Sequence, residues 1–150
     1  MFIPEAEIVL IQNILHPTDF SPGADAAFEA ACSLAEHYGA SILVLHVAVP
    51  PVAGQSGPTP PPQGDWQALE DRLAQIRPKN ERLPVKHLMQ LGMPASEIVR
   101  IAGETHPDLI VMGTHGRTGF RRLLMGSVAE EVVRKAPCSV LTVKTPETAA

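Results

Sequence analysis

The chain has 150 residues, a formal net charge of −4 and a hydrophobic fraction of 45%. That length suits one domain over residues 1–150, burying roughly 70% of its unfolded surface. The acidic balance argues against broad nucleic-acid binding. No apolar stretch approaches the roughly 20 residues of a membrane span, and Glu5 and Glu7 in a start without basic residues do not read as a signal peptide. Cys32 and Cys138 are far apart and form no C-x-x-C pair. The simplest expectation is a reduced, cytoplasmic protein with inert buried thiols and no membrane partner.

Along the chain, Ile8 to Leu15 is an apolar run that predicts a buried strand. His16-Pro17-Thr18-Asp19-Phe20-Ser21-Pro22 then turns into a helix, with Ser21 as N-cap and Pro22 at its first position. Ala27, Phe28, Ala31, Leu34, Ala35 and Tyr38 recur at helical spacing, and Gly39 supplies the stop. Ile42 to Val49 is nearly continuous apolar, which suits a strand covered on both faces. Pro50 to Gly64 holds six prolines and three glycines and reads as a flexible loop. Trp66, Leu69, Leu73 and Ile76 mark a helix capped by Asp65. Val85 to Leu91 is a strand, Pro94 opens a further helix, and Asp108 to Met112 is the fourth strand. A helix over 128–136 stops near Pro137, and Cys138 to Val143 is the fifth strand. The alternation predicts an α/β fold: a doubly wound, open, parallel five-stranded sheet with four helices, whose ligands bind at the carboxyl ends of the strands.

The strongest chemical signal is Gly113-x2-Gly116-x9-Gly126-Ser127, which starts at the Met112 strand end and leads into a helix. Glycines let backbone approach a ligand, and a helix N-terminus favours anions, so the spacing points to a phosphate cradle. Arg117, Arg121 and Arg122 add local positive charge. The competing reading is a plain connection with a capping box, Ser127-Val-Ala-Glu130. The arginines either meet phosphate, Arg117 first, or form surface ion pairs of about 0–1 kcal/mol. Asp19 is either a sugar-binding carboxylate or a turn acid. His115 lies inside the glycine loop, where it is open to ligand contact. His16 and His46, near the ends of adjacent strands, either pack and hydrogen-bond or approach a metal. The loop has no lysine after its last glycine and is no Walker P-loop.

These residues together resemble the universal stress protein family, in its ATP-binding branch. Gly113, Gly116, Gly126 and Ser127 match its G-x2-G-x9-G-[ST] pattern, Ile14-Leu-His-Pro-Thr-Asp-Phe-Ser its first strand and turn, Leu45-His-Val47 the end of its second strand, and Gly92-Met-Pro94 its Gly-x-Pro. The resemblance spans nearly everything outside Pro50 to Gly64. It implies a Rossmann-like adenine nucleotide α-hydrolase-like fold with strand order 3-2-1-4-5. It also implies ATP as ligand, with any Mg2+ arriving on the phosphates. By position, Asp19 contacts the ribose or base side, Pro17 and Thr18 shape that edge, and the Val47 backbone hydrogen-bonds adenine. Gly113 and Gly116 wrap the ribose and phosphates, and Gly126, Ser127 and Val128 hold the terminal phosphates; Met112, His115 and Arg117, adjacent to these glycines in sequence, complete the candidate set. It further implies a homodimer paired through Cys138 to Lys144 and a regulatory role in stress response; the residues show no clear general base or metal-ligand set for phosphoryl transfer, so slow ATP hydrolysis is expected at most. The alternatives from other classes are a dimeric interaction protein that holds no nucleotide and a nucleotidyl transferase; the missing His-x-Gly-His element weighs against the latter.

Overall fold

A computed structural model describes residues 10–50, 63–115 and 125–145. Its elements, in chain order, are β1 (Asn13–Pro17), α1 (Pro22–Tyr38), β2 (Ser41–Ala48), α2 (Gln63–Ala74), β3 (Val85–Leu91), α3 (Pro94–Thr105), β4 (Leu109–Gly113), α4 (Ser127–Lys135) and β5 (Ser139–Val143). The five strands form one parallel sheet in the order β3-β2-β1-β4-β5. The order reverses between β1 and β4, so the carboxyl ends of these two strands diverge into helices on opposite faces and leave a crevice.

Strand alternation sorts the core onto two faces. Ile14, Ile42, Val44, Leu109 and Val111 pack with Ala27, Phe28, Ala31 and Ala35 of α1 and with Leu73 of α2. Leu15, Leu45, Val47, Ile110 and Met112 pack on the other face with Ile98, Ile101 and Ala102 of α3 and with Ala129 and Val132 of α4. Both faces are covered, which is why β4 is apolar and β2 nearly so, broken inside by His46. Full burial of each such Ile or Leu contributes about 1.5–3 kcal/mol. Among the described residues no helix is long and apolar enough to cross a membrane.

Local chemistry sets the element ends. The Ser21 side chain accepts from the Ala24 N–H, Pro22 opens α1, and Gly39 closes it in the left-handed conformation with φ of 69°. Asp108 pins the start of β1: its Oδ2 accepts from the backbone N–H groups of Gln12 and Asn13 at 2.8 and 3.0 Å.

Most element ends differ from the sequence expectation by a residue, and two differ by more. The first strand runs two residues later than the apolar run, through Pro17, because β1 stays in register with β2 to the pair Pro17↔Leu45. α2 begins at Gln63, so Asp65 lies inside its first turn rather than capping it; a carboxylate there still complements the helix dipole. The expected loop Pro50 to Gly64 therefore ends earlier, and residues 51–62 lie outside the described residues. Cys32 and Cys138 are half-buried rather than buried. Burial raises both thiols above their ordinary range, Cys32 to about 11 with help from Glu29 and Glu36, so both stay protonated and inert at neutral pH.

Candidate functional site

A cleft of about 430 Å³ opens at the carboxyl ends of β1, β2 and β4. The β1–α1 turn gives it Pro17, Thr18, Asp19 and Ser21; β2 gives Leu45, Val47 and Val49; α3 gives Pro94 and Ile98. Its far wall is Met112, Gly113, Thr114 and His115 from the β4 end, and Gly126, Ser127, Val128 and Ala129 from the start of α4. Three helices thus aim their N-termini at one space. Each brings partial positive charge and outward-facing N–H groups.

The three starts are not alike. α1 is capped by its own Ser21 hydroxyl. α3 has Met93 and α4 has Gly126 at the N-cap, each without a side-chain cap bond. Here the structure corrects the capping-box expectation: Ser127 is the first residue of α4, not its cap. Its hydroxyl is therefore placed at the helix mouth rather than spent on the backbone of its own first turn. Glu130 and Glu131, which would oppose an anion, pair with Arg134 and Lys135 at 2.9 and 2.8 Å, one turn further along the helix. The two ends of the glycine segment are tied together, since the Gly126 N–H donates to the Thr114 carbonyl at 2.6 Å.

The apolar end of the cleft lies over β2. The ladder to β1 stops where the Thr18 N–H donates to the Leu45 carbonyl at 2.8 Å, while the Ala48 carbonyl accepts from Gly92 on the β3 side. Backbone groups alternate in direction along a strand, so Val47 faces the β1 side, beyond the last registered pair. Its N–H and C=O form a donor–acceptor couple set among Leu45, Val49, Pro94 and Ile98. That combination suits the edge of a planar heterocycle.

Asp19 comes from the β1–α1 turn. Its Oδ1 accepts from the Ser21 N–H at 3.0 Å, so it serves as a turn acid and lines the cleft at once. The two readings of Asp19 are compatible. His115 lines the cleft and shares a 3.1 Å hydrogen bond through Nδ1 with the Thr114 hydroxyl.

Gly113 has a packing reason for lacking a side chain. A Cβ there would lie 3.0 Å from the Gly23 carbonyl oxygen and 3.1 Å from its carbon. The end of β4 runs against the first turn of α1, and two glycines permit the crossing; a Cβ on Gly23 would in turn meet the His115 carbonyl oxygen at 3.0 Å. The glycine at 113 thus first sets how closely two walls of the cleft meet.

His16 and His46 both hydrogen-bond to backbone carbonyls. The Nδ1 of His16 donates to the Val111 carbonyl at 2.9 Å and that of His46 to the Thr18 carbonyl at 2.8 Å. Among the described residues no group of three or more His, Cys, Asp or Glu could hold a metal ion. His16 is fully buried with its Nε2 unpartnered, and burial lowers its pKa to about 4 against the opposing bond to Val111.

Ten sequence-predicted residues therefore share one cleft: Pro17, Thr18, Asp19, Val47, Met112, Gly113, His115, Gly126, Ser127 and Val128. Gly116 and Arg117 lie outside the described residues, as do Arg121 and Arg122. Sequence reasoning missed Ser21, Ala24, Leu45, Val49, Pro94, Ile98, Thr114 and Ala129. Pro94 and Ile98 carried a usable signal: they are one turn apart at a helix start that follows a strand.

Comparison with known proteins agrees with this geometry. The profile of the universal stress protein family matches residues 10–144. A curated universal stress protein of Methanocaldococcus jannaschii is 38% identical over 152 residues, covering 92% of this chain and 85% of its own length. The solved structure of a second protein of that organism, MJ0577, superposes with a TM-score of 0.76 at 26% identity, covering 93% of this chain and 99% of that one. Two further solved universal stress proteins, one in complex with cAMP and one from Archaeoglobus fulgidus in complex with dAMP, share the fold at 22% identity. Their TM-scores are 0.69 and 0.65; each covers 91% of this chain, and 99% and 100% of its own.

Proposed function

The chain belongs to the universal stress protein family, and from that premise we propose that it binds an adenine nucleotide, ATP with Mg2+ in the first place, as a regulatory module of the stress response in the cytoplasm. One observation carries the proposal. The α4 N-terminus, without a side-chain cap, faces a cleft whose other end offers a backbone donor–acceptor couple among apolar side chains. A nucleotide needs both: N–H groups and a dipole for its phosphates, and an apolar slot with one edge for its base.

The residues fit such a ligand. The Val47 backbone would meet the adenine edge, and Asp19 would accept from a sugar hydroxyl. The backbone N–H groups of Gly113 and Val128 and the Ser127 hydroxyl would hold the phosphates, with Gly126, tied to Thr114, bringing the start of α4 to them. Mg2+, when bound, would neutralise phosphate charge. The related proteins solved with cAMP and dAMP support the adenine assignment. We take the nucleotide to shift the protein's state rather than to be turned over, and single-turnover phosphate release tests that separately. Among the described residues β5 forms an edge of the sheet, with Leu141 exposed. An unpaired edge of this kind gains from pairing, so the proposed assembly is a homodimer through 138–144.

Isothermal titration calorimetry with ATP and Mg2+ tests the proposal. The expected result is saturable binding of one nucleotide per chain, competed by AMP. A flat titration with folded protein contradicts it and favours an interaction protein without nucleotide.

A further inference from the structure

Arg72 belongs to no motif and does not line the cleft. It sits exposed in the last turn of α2, with its guanidinium carbon 4.5 Å from the centre of the Phe20 ring. The same ring rests on His46, with centroids 4.4 Å apart. Phe20 directly follows Asp19, the acid of the cleft, and its φ is 64°. A bulky residue in the left-handed region is strained, so the surroundings must hold it there.

The holding contacts are specific. The Phe20 N–H donates to the Thr18 hydroxyl at 3.1 Å, and the Ser21 N–H donates to Asp19 Oδ1 at 3.0 Å. Were Phe20 to relax to negative φ, the following peptide would rotate and Asp19 would lose the Ser21 N–H. The ring contacts oppose that relaxation, His46 from β2 and Arg72 from α2. α2 is itself anchored by buried Leu73 and by His87, whose Nε2 donates to the Ile76 carbonyl at 2.8 Å just beyond the helix.

We propose that Arg72 is a positioning residue for Asp19: its cation over the Phe20 ring holds the left-handed turn that aims the carboxylate at a bound sugar. For its ligand this rests on the nucleotide reading above. It also ties α2 to the site, so a displacement of that helix would register at the sugar end of the cleft.

The test compares wild type, Arg72→Ala and Arg72→Lys for ATP and 2′,3′-dideoxy-ATP, the second lacking the hydroxyls that Asp19 would accept from. Arg72→Ala should weaken ATP by about threefold, the scale of an exposed cation–π contact, and leave the dideoxy analogue unchanged. Arg72→Lys, which keeps a cation above the ring, should recover part of that loss. In an Asp19→Ala background Arg72→Ala should add nothing. Equal losses for the two analogues, or an unchanged preference between them, overturn the proposal. A nucleotide-free readout separates it from the nucleotide reading. By NMR, Arg72→Ala should shift the Ser21 amide and change the Phe20 amide-to-Hα coupling. If wild type binds neither analogue, the nucleotide reading falls and this comparison alone decides: a moved Ser21 amide upholds the positioning link, and an unmoved one overturns it.

Discussion

Acid should weaken this fold through one imidazole. His16 lies in β1 on the α1 face, beside Phe28 at 5.4 Å between ring centroids, with no exposed surface. A carbonyl can only accept, so the bond to Val111 places the proton on Nδ1 and leaves Nε2 as a bare acceptor among apolar groups. A second proton would charge a ring that water cannot reach, and burial lowers the pKa from 6.5 to about 4. The sign follows from proton counting. Between those values the unfolded chain holds a proton at His16 that the folded chain refuses, so stability falls as pH drops through that window. At about 1.4 kcal/mol for each pH unit, the loss comes to about 3 kcal/mol, a large part of an ordinary domain's 5–15 kcal/mol.

Urea unfolding of wild type and His16→Leu at about pH 7 and about pH 4 isolates this contribution, since every other titrating group is common to both. Wild type should lose about 3 kcal/mol more than the variant on acidification. At neutral pH the two should differ by no more than about 1–3 kcal/mol, because the variant removes an unpartnered Nε2 but strands the Val111 carbonyl. Parallel pH profiles would refute the reasoning. So would an NMR titration in which His16 protonates near its ordinary value, a test that stands if the variant does not fold.

Other consequences are more local. Gly113→Ala places a methyl 3.0 Å from the Gly23 carbonyl oxygen, so urea unfolding should show a loss of about 1–3 kcal/mol from overpacking; an unchanged midpoint would deny the close crossing. Ser127→Ala should weaken ATP several-fold, the scale of one charge-assisted hydrogen bond, and AMP less. Equal losses in calorimetry would show that the hydroxyl does not serve the outer phosphates. Leu141→Arg sets a charge at an exposed position of the edge strand; light scattering should report a monomer where wild type is a dimer, and a monomeric wild type would remove the proposed interface.

The sheet was legible because its signals are redundant. The central strands β2 and β4 are largely apolar runs, and their neighbours carry Ser21-Pro22, Gly39 and Pro94 at the helix ends, where the backbone requires them. The glycine spacing and the Thr18-Asp19 turn pointed to one crevice because strand carboxyl ends meet at the reversal of strand order. Other features depend on what lies across space. Ser127 and Glu130 have capping-box spacing, yet Gly126 took the cap and the Glu130 carboxylate paired with Arg134. Gly113 looked like a ligand-binding glycine, and the start of α1 gave it a packing reason that no spacing encodes. The strain at Phe20 and the reach of Arg72 across from α2 are tertiary facts, invisible in a linear pattern.

An amide-resolved NMR titration with ATP and Mg2+ puts the site to the most direct test. Nucleotide seated as argued should shift the amides of Ser127, Val128 and Ala129 at one end of the cleft and of Val47 at the other, and leave the start of β3 still. Shifts confined to another surface, or none at saturating nucleotide, would contradict the account.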